Sequence, residues 1–119
     1  MVTQRFAAVL WNEEITAVLH RVGEDCAVVV AGGQKEHVGA VSLCSEEGET
    51  QTLVFPGHKE QFITGPWCDR IHAITGGAVS VAAGVHYDNL SKEEIAQVMA
   101  VTEELLEQVL RYLTADRPA

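Results

Sequence analysis

The run Cys26-Ala27-Val28-Val29-Val30-Ala31 constrains the fold more than any other segment. An unbroken stretch of small and β-branched apolar residues reads as a central strand covered on both faces, because a strand with one wet face would alternate. Glycine turns bound it: Gly23-Glu24-Asp25 before, and Gly32-Gly33 after. Such a strand needs neighbours, and the flanking segments supply them. Ile15 to Val22 precedes it and Val38 to Cys44 follows. The acidic turn Glu46-Glu47-Gly48-Glu49 then leads into a short strand from Gln51 to Phe55. Arg5 to Trp11 reads as an irregular strand or arm, so residues 1–14 stand outside the regular pattern.

Two helices and one more strand complete the chain. Lys59 to Thr75 is helical in pattern but carries Gly65-Pro66, which predicts a broken start and regular helix mainly from Pro66 onward. Gly76-Gly77 stops it, and Ala78 to Val85 is again apolar and β-compatible. Ser91-Lys92-Glu93-Glu94 has the S-x-x-E form of a capping box. Beyond it, Ile95, Val98, Met99, Leu105, Leu106, Val109, Leu110 and Leu113 recur at helical spacing, with Glu103, Glu104 and Glu107 opposite. The predicted fold is α+β: one domain over residues 1–119, in the order β-β-β-β-α-β-α, a mixed sheet with two helices on one face.

Charge and cysteine content narrow the partners. The formal net charge is −9 and only 6% of residues are aromatic, so nucleic acid would be repelled at long range and would find little to stack on. Cys26, Cys44 and Cys68 are odd in number and widely spaced, which writes neither a zinc knuckle nor a redox pair. Glu13 and Glu14 interrupt the first apolar stretch before it could act as a signal sequence, and no apolar run is long enough to cross a bilayer. The expected setting is the reducing cytoplasm, with neither membrane nor nucleic acid as partner. Apolar runs on several strands, more than one helical layer covers, predict a homo-oligomer.

Strand parity indicates where the chemistry lies. If Ala31 reaches one end of the sheet, the strand after His37 starts from that end. The strand closed by Pro56-Gly57-His58 returns to it, and so does the strand that runs into His86. Three histidine-bearing turns are therefore expected at a single sheet edge, where open sheets favour ligands. Taken singly, each turn has a plain structural explanation. Gly32-Gly33 suits a turn with positive φ, and His37 or His58 suits a loop histidine bonded to backbone. Pro56-Gly57-His58-Lys59 leads into a helical segment whose free amides favour an anion. His86 and Asp88 are two apart and share one side of an extended chain, while Asp88 and Asn89 also suit a turn before Ser91. His20, His72, Asp69 and the carboxylates of the last helix read as solvated surface. No nucleophile elbow, H-E-x-x-H or Walker loop occurs, and His37, His58 and His86 are dispersed candidates for a metal.

Three segments in order resemble a known family. They are Gly32-Gly33-Gln34-Lys35-Glu36-His37-Val38-Gly39-Ala40-Val41, Pro56-Gly57-His58-Lys59-Glu60, and Gly84-Val85-His86-Tyr87-Asp88-Asn89. The family is that of small subunit-D-like proteins associated with gallate-type decarboxylases, regarded as chaperones or carriers of prenylated FMN. The similarity runs from about residue 15 to 113, and Glu36 stands where the family pattern has proline. The resemblance implies a binding protein, not an enzyme, that holds reduced prenylated FMN and passes it to a partner non-oxidative decarboxylase. It implies a flavin site drawn from Gly32, Gly33, His37 and Gly39, from Pro56, Gly57, His58 and Lys59, and from His86, Asp88 and Asn89. The phosphate would lie near the Gly57-His58-Lys59 helix start and the Gly32-Gly33 turn, and the ring system on small residues such as Ala40 and Ala82. Lys35, Lys59 and protonated histidine would supply positive charge. From the residues alone, two other readings stay open: a small metal-dependent enzyme using His37, His58 and His86, and a structural or regulatory subunit whose histidine turns form an interface.

Overall fold

The computed structural model describes residues 1–115, so the last four residues of the expected domain lie outside the described residues. Eight elements follow in order: β1 (Val2–Leu10), β2 (Glu13–Val22), β3 (Asp25–Gly33), β4 (Ala40–Cys44), β5 (Thr50–Val54), α1 (Gln61–Thr75), β6 (Val79–His86) and α2 (Lys92–Ala115). The strands form one sheet in the order β1-β2-β3-β6-β4-β5. β6 enters between β3 and β4, parallel to β3 and antiparallel to β4, and the other pairs are antiparallel. The sheet is mixed and both helices pack on one face, as the sequence predicts.

The amino-terminal segment is a regular strand rather than an arm. β1 pairs with β2 over its whole length, from Val2 opposite Arg21 to Leu10 opposite Glu13. The turn between them is Trp11-Asn12, with φ of 51° and 66°, the left-handed pair of a type I′ hairpin. Asparagine tolerates that conformation; tryptophan carries no such signal, which hides the hairpin in the sequence. The Trp11 ring is held edge-on by Tyr87 at 5.2 Å, and the Tyr87 hydroxyl donates to the Leu10 carbonyl at 3.0 Å.

α1 is continuous from Gln61, despite Gly65-Pro66. Proline would normally crowd the Cβ of the residue before it, and Gly65 has none. The missing N–H of Pro66 leaves only the bond to the Phe62 carbonyl unmade, on a turn where Phe62 is exposed. The buried Ser42 hydroxyl lies 2.6 Å from Thr52 Oγ1 and donates to the buried Thr64 hydroxyl at 2.7 Å, tying β4, β5 and α1 together. At the far end Gly76 takes φ 72° and its N–H donates to the His72 carbonyl. His72, read from the sequence as solvated, sets its Nδ1 2.8 Å from the Gly77 carbonyl and helps close the helix.

The core lies between the helices and one sheet face. Ile15, Ala17 and Leu19 of β2, Val28 and Val30 of β3, and Val79 and Val81 of β6 point into it. α2 adds Val98, Leu105, Leu106, Val109, Leu110 and Leu113, whereas Ile95 and Met99 of the same periodic series remain exposed on its first turns. Each fully buried leucine contributes about 1.5–3 kcal/mol relative to exposure. The opposite face is bare: Val29 is 41% and Leu53 81% exposed, so the central strand is covered on one face within this chain, not on two.

The predicted capping box forms. Glu94 N–H donates to the Ser91 hydroxyl at 3.2 Å, and Ser91 N–H donates to Glu94 Oε1 at 2.9 Å. The Ser91 backbone bond, followed by its side-chain bond, holds the Glu94 carboxyl below the ordinary carboxylate range. A lowered folded-state value gives a contribution that is present above the unfolded value and is lost as pH falls through the folded one. Accordingly, the protection factors of amides in the first turn of α2, relative to their intrinsic exchange at each pH, should fall as the solution is acidified below the ordinary glutamate range. Ser91→Ala should lower stability to urea by about 1 kcal/mol at neutral pH; an unchanged midpoint would show that the cap contributes nothing.

Candidate functional site

Four strand ends meet at one edge of the sheet. β3 ends at Gly33 and β6 at His86, which are parallel partners, while β4 begins at Ala40 and β5 ends at Val54, paired with each other. The three histidine turns therefore converge. The His37 ring lies 4.9 Å from His58 and 6.2 Å from His86. With Lys35 and Val38 they line a cleft of about 320 Å³.

Backbone contacts hold the turns in place. His37 crosses directly over Gly84 of β6, where a Cβ would overlap the His37 carbonyl. Gly39 N–H donates to the Ala83 carbonyl at 2.8 Å, and Phe55 N–H donates to the Gly39 carbonyl at 2.9 Å. His58 N–H donates to the Phe55 carbonyl at 3.1 Å, which fixes the Pro56-Gly57 turn. On the other side, Gln34 N–H donates to the His86 carbonyl at 2.7 Å, and Asp88 N–H donates to Gln34 Oε1 at 2.8 Å. His86 Nε2 is 2.8 Å from Asp88 Oδ1, the same-side pairing that their spacing predicts.

The residue missed by the expected site is Glu60. It precedes α1, is only 8% exposed, and sets its carboxylate between two imidazoles. Oε1 lies 2.8 Å from His37 Nε2, and Oε2 lies 3.7 Å from His58 Nδ1 while accepting the Lys59 N–H at 3.1 Å. Gly39 makes this possible: a Cβ there would fall inside the carboxylate. The signal was in the sequence, since Glu60 ends the Pro56-to-Glu60 segment that resembles the family pattern. The same carboxylate changes the electrostatics expected at the helix start, where an approaching phosphate meets a buried negative charge. The imidazole and carboxylate atoms of His37, His58 and Glu60 all lie within 4.8 Å of one another, an arrangement able to hold a metal ion.

Other expected residues fall elsewhere. Gly32 is buried against the backbone of Glu14 and Ile15, in a depression also lined by Glu13 and Glu36, not in the histidine cleft. Gly33, at φ 80°, packs on the His86 carbonyl and supports the cleft from behind. Pro56, Gly57 and Lys59 are exposed on the turn, Asp88 and Asn89 are exposed beyond His86, and Lys35 is the lysine that lines the cleft. Ala40 and Ala82 cannot share a floor: Ala40 is opposite Ala83 on the covered face, and Ala82 is opposite Val41 on the bare one. The three cysteines are free and buried. Burial pushes the Cys68 thiol up to about 12 and raises that of Cys26, so neither is an activated nucleophile. No helix among the described residues is long and apolar enough to cross a membrane.

Comparison with known proteins identifies the family. Residues 10–114 match the family model described as the prenylated flavin chaperone LpdD-like domain. Protein LpdD of Lactiplantibacillus plantarum is 30% identical over 107 residues, which cover 86% of this chain and 79% of that protein. Among solved structures, a crystal structure of a chaperone complex for yeast 20S proteasome assembly superposes with a TM-score of 0.58. It covers 96% of this chain and 99% of that one at 9% identity, and this likeness concerns the fold alone. With the family match spanning all three histidine turns and both helices, the chain belongs to the prenylated flavin chaperone LpdD-like family.

Proposed function

We propose that this protein is a non-catalytic cytoplasmic carrier that holds prenylated FMN at the histidine cleft and delivers it to a partner non-oxidative decarboxylase. The observation that carries the reading is the convergence of His37, His58 and His86 in one cleft, in a chain of the prenylated flavin chaperone family. All three cysteines are buried, and burial raises the thiols of Cys26 and Cys68, which supports binding rather than covalent chemistry. In a chain of net charge −9, Lys35 and the imidazoles are the groups able to receive the phosphate. A cleft of about 320 Å³ sits at the lower bound of small-molecule sites, roughly 300–1,000 Å³. A prenylated flavin would therefore protrude, and the remaining walls would come from another chain.

The bare sheet face supports a homo-oligomer. Val18, Val29, Ala82, Val41 and Leu53 stand side by side in one row across five strands. This central row carries no charge, so two acidic chains can approach through it without meeting like charge. A second copy packed there would cover the other side of β3, as its unbroken apolar sequence calls for.

Two measurements test these readings. His58→Ala should weaken prenylated FMN binding about tenfold to a hundredfold, the equivalent of a charge-assisted hydrogen bond of roughly 1.5–3 kcal/mol. Its thermal melt should stay within about half a kcal/mol of wild type, because the side chain lies on a surface turn. Plain FMN and inorganic phosphate are titrated in parallel; equal affinity for all three ligands would reduce the cleft to a generic anion site. For the oligomer, light scattering should give a dimer or larger at micromolar concentration, and Leu53→Glu should shift it toward monomer with the fold retained. A monomeric wild type would refute the interface.

A further inference from the structure

We propose that His37, His58 and Glu60 form a binding site for one divalent transition-metal ion, with its open coordination positions facing the cleft. The inference goes beyond the carrier reading and does not depend on it. The ligand atoms come from two turns, His37 between β3 and β4, and His58 and Glu60 between β5 and α1, and lie within 4.8 Å of one another.

The separations suit a shared ion. Donors about 2.0–2.2 Å from one metal lie roughly 3–3.4 Å apart at octahedral or tetrahedral angles. His37 Nε2 lies 2.8 Å from Glu60 Oε1 and His58 Nδ1 lies 3.7 Å from Oε2, so the two imidazoles approach the two oxygens of one carboxylate at separations near that range. The His58 pair is too long for a hydrogen bond, and a shared ion would draw the three donors, now within 4.8 Å of one another, closer together.

The surroundings are those of a ligand set. Metal-bound histidines commonly direct their second ring nitrogen at a carbonyl, and His37 Nδ1 lies 3.4 Å from the Lys35 carbonyl. An ion held here would take the Nε2 lone pair, with the proton on Nδ1 facing the Lys35 carbonyl. Glu60 is 8% exposed and seated against Gly39, so the carboxylate is held rather than free to swing into water. Two nitrogens and one carboxylate suit zinc, iron(II), manganese or cobalt(II), and lack the oxygen-rich shell of calcium. His86 stands outside the set, with its Nε2 against Asp88.

The charge balance gives the ion a purpose. A divalent ion with neutral imidazoles and one carboxylate keeps a net charge of +1. It converts the negative helix start into a receptor for an anionic oxygen, such as a phosphate entering beside Lys35. Without it, the buried carboxylate opposes that anion.

The test is titration of the full-length, tag-free protein with cobalt(II), read by its visible absorption, and with zinc(II) by calorimetry. One equivalent should bind saturably. Glu60→Gln and His58→Ala should each weaken binding at least tenfold, while His20→Ala, on the far side of the sheet, should not. Circular dichroism monitors folding of each variant; if Glu60→Gln does not fold, His58→Ala on its surface turn still decides the matter. Absence of saturable binding, or binding that neither variant alters, overturns the site and leaves the simple His37–Glu60 hydrogen bond as the explanation. Inorganic phosphate added to the cobalt-loaded protein should change the spectrum, and an unchanged spectrum refutes the anion-receiving role. If prenylated FMN binds and metal does not, only the metal site fails. If metal binds and the flavin does not, only the carrier reading fails.

Discussion

The parallel pairing of β3 with β6 is the constraint on which the rest of the structure depends. Cys26 to Gly33 is matched residue for residue with Val79 to His86, so both strands arrive at the same edge together. The crossover through β4, β5 and α1 is long enough to return the chain parallel, and β4 then pairs with the free side of β6. Everything at the histidine edge follows. His37 precedes β4 and crosses the end of β6, which is possible because Gly84 offers no side chain at the crossing. A larger residue there would lift the His37 turn off the sheet and separate it from His58 and Glu60.

The site is a second consequence of the same geometry, because its acidic member is positioned through the sheet edge. β5 pairs with β4, and the Phe55 amide with the Gly39 carbonyl, so the Pro56-to-Glu60 turn is anchored beside the His37 turn. Ser42, Thr52 and Thr64 tie α1 to the same two strands from the buried side. Glu60, at the junction of turn and helix, thus has little freedom. Burying a carboxylate costs several kcal/mol unless it is compensated, and here His37 Nε2 at 2.8 Å and the Lys59 N–H at 3.1 Å compensate it from two separate turns.

Most of this was legible from the sequence where periodicity or parity carried it. The strand at β3, the capping box at Ser91 and the common edge of the three histidines needed only an unbroken apolar run, a four-residue capping pattern and strand direction. What escaped depended on contacts between segments distant in the chain. Trp11-Asn12 turns a hairpin because Tyr87, 76 positions after Trp11, braces the Trp11 ring. Gly65 removes the Cβ that would have crowded the Pro66 ring, and α1 runs through the pair. Glu60 reads as an ordinary charged residue ahead of a helix until Gly39 and His37 are folded against it. The placing of Ala40 and Ala82 on one floor failed for another reason: Ala40 is matched with Ala83, so Ala82, one position away, falls on the opposite face.

The open shape of the cleft suits the proposed carrier role. Sites that carry out chemistry on small molecules commonly bury most of the ligand, roughly 70–90% of its surface, and exclude water. Here the walls are turns at the rim of a sheet, with Lys35, Val38 and His86 exposed and His58 half-buried. A ligand seated on them is gripped from one side and leaves the other accessible to a second protein. Binding groups of this kind, imidazoles beside a buried carboxylate, also give an affinity that responds to a neighbouring charge. Under the proposed carrier reading, a receiving enzyme that offered its own cations to the phosphate would compete with them from the exposed side of the ligand. An enclosed pocket of equal affinity would need to open before release, whereas this one is already open.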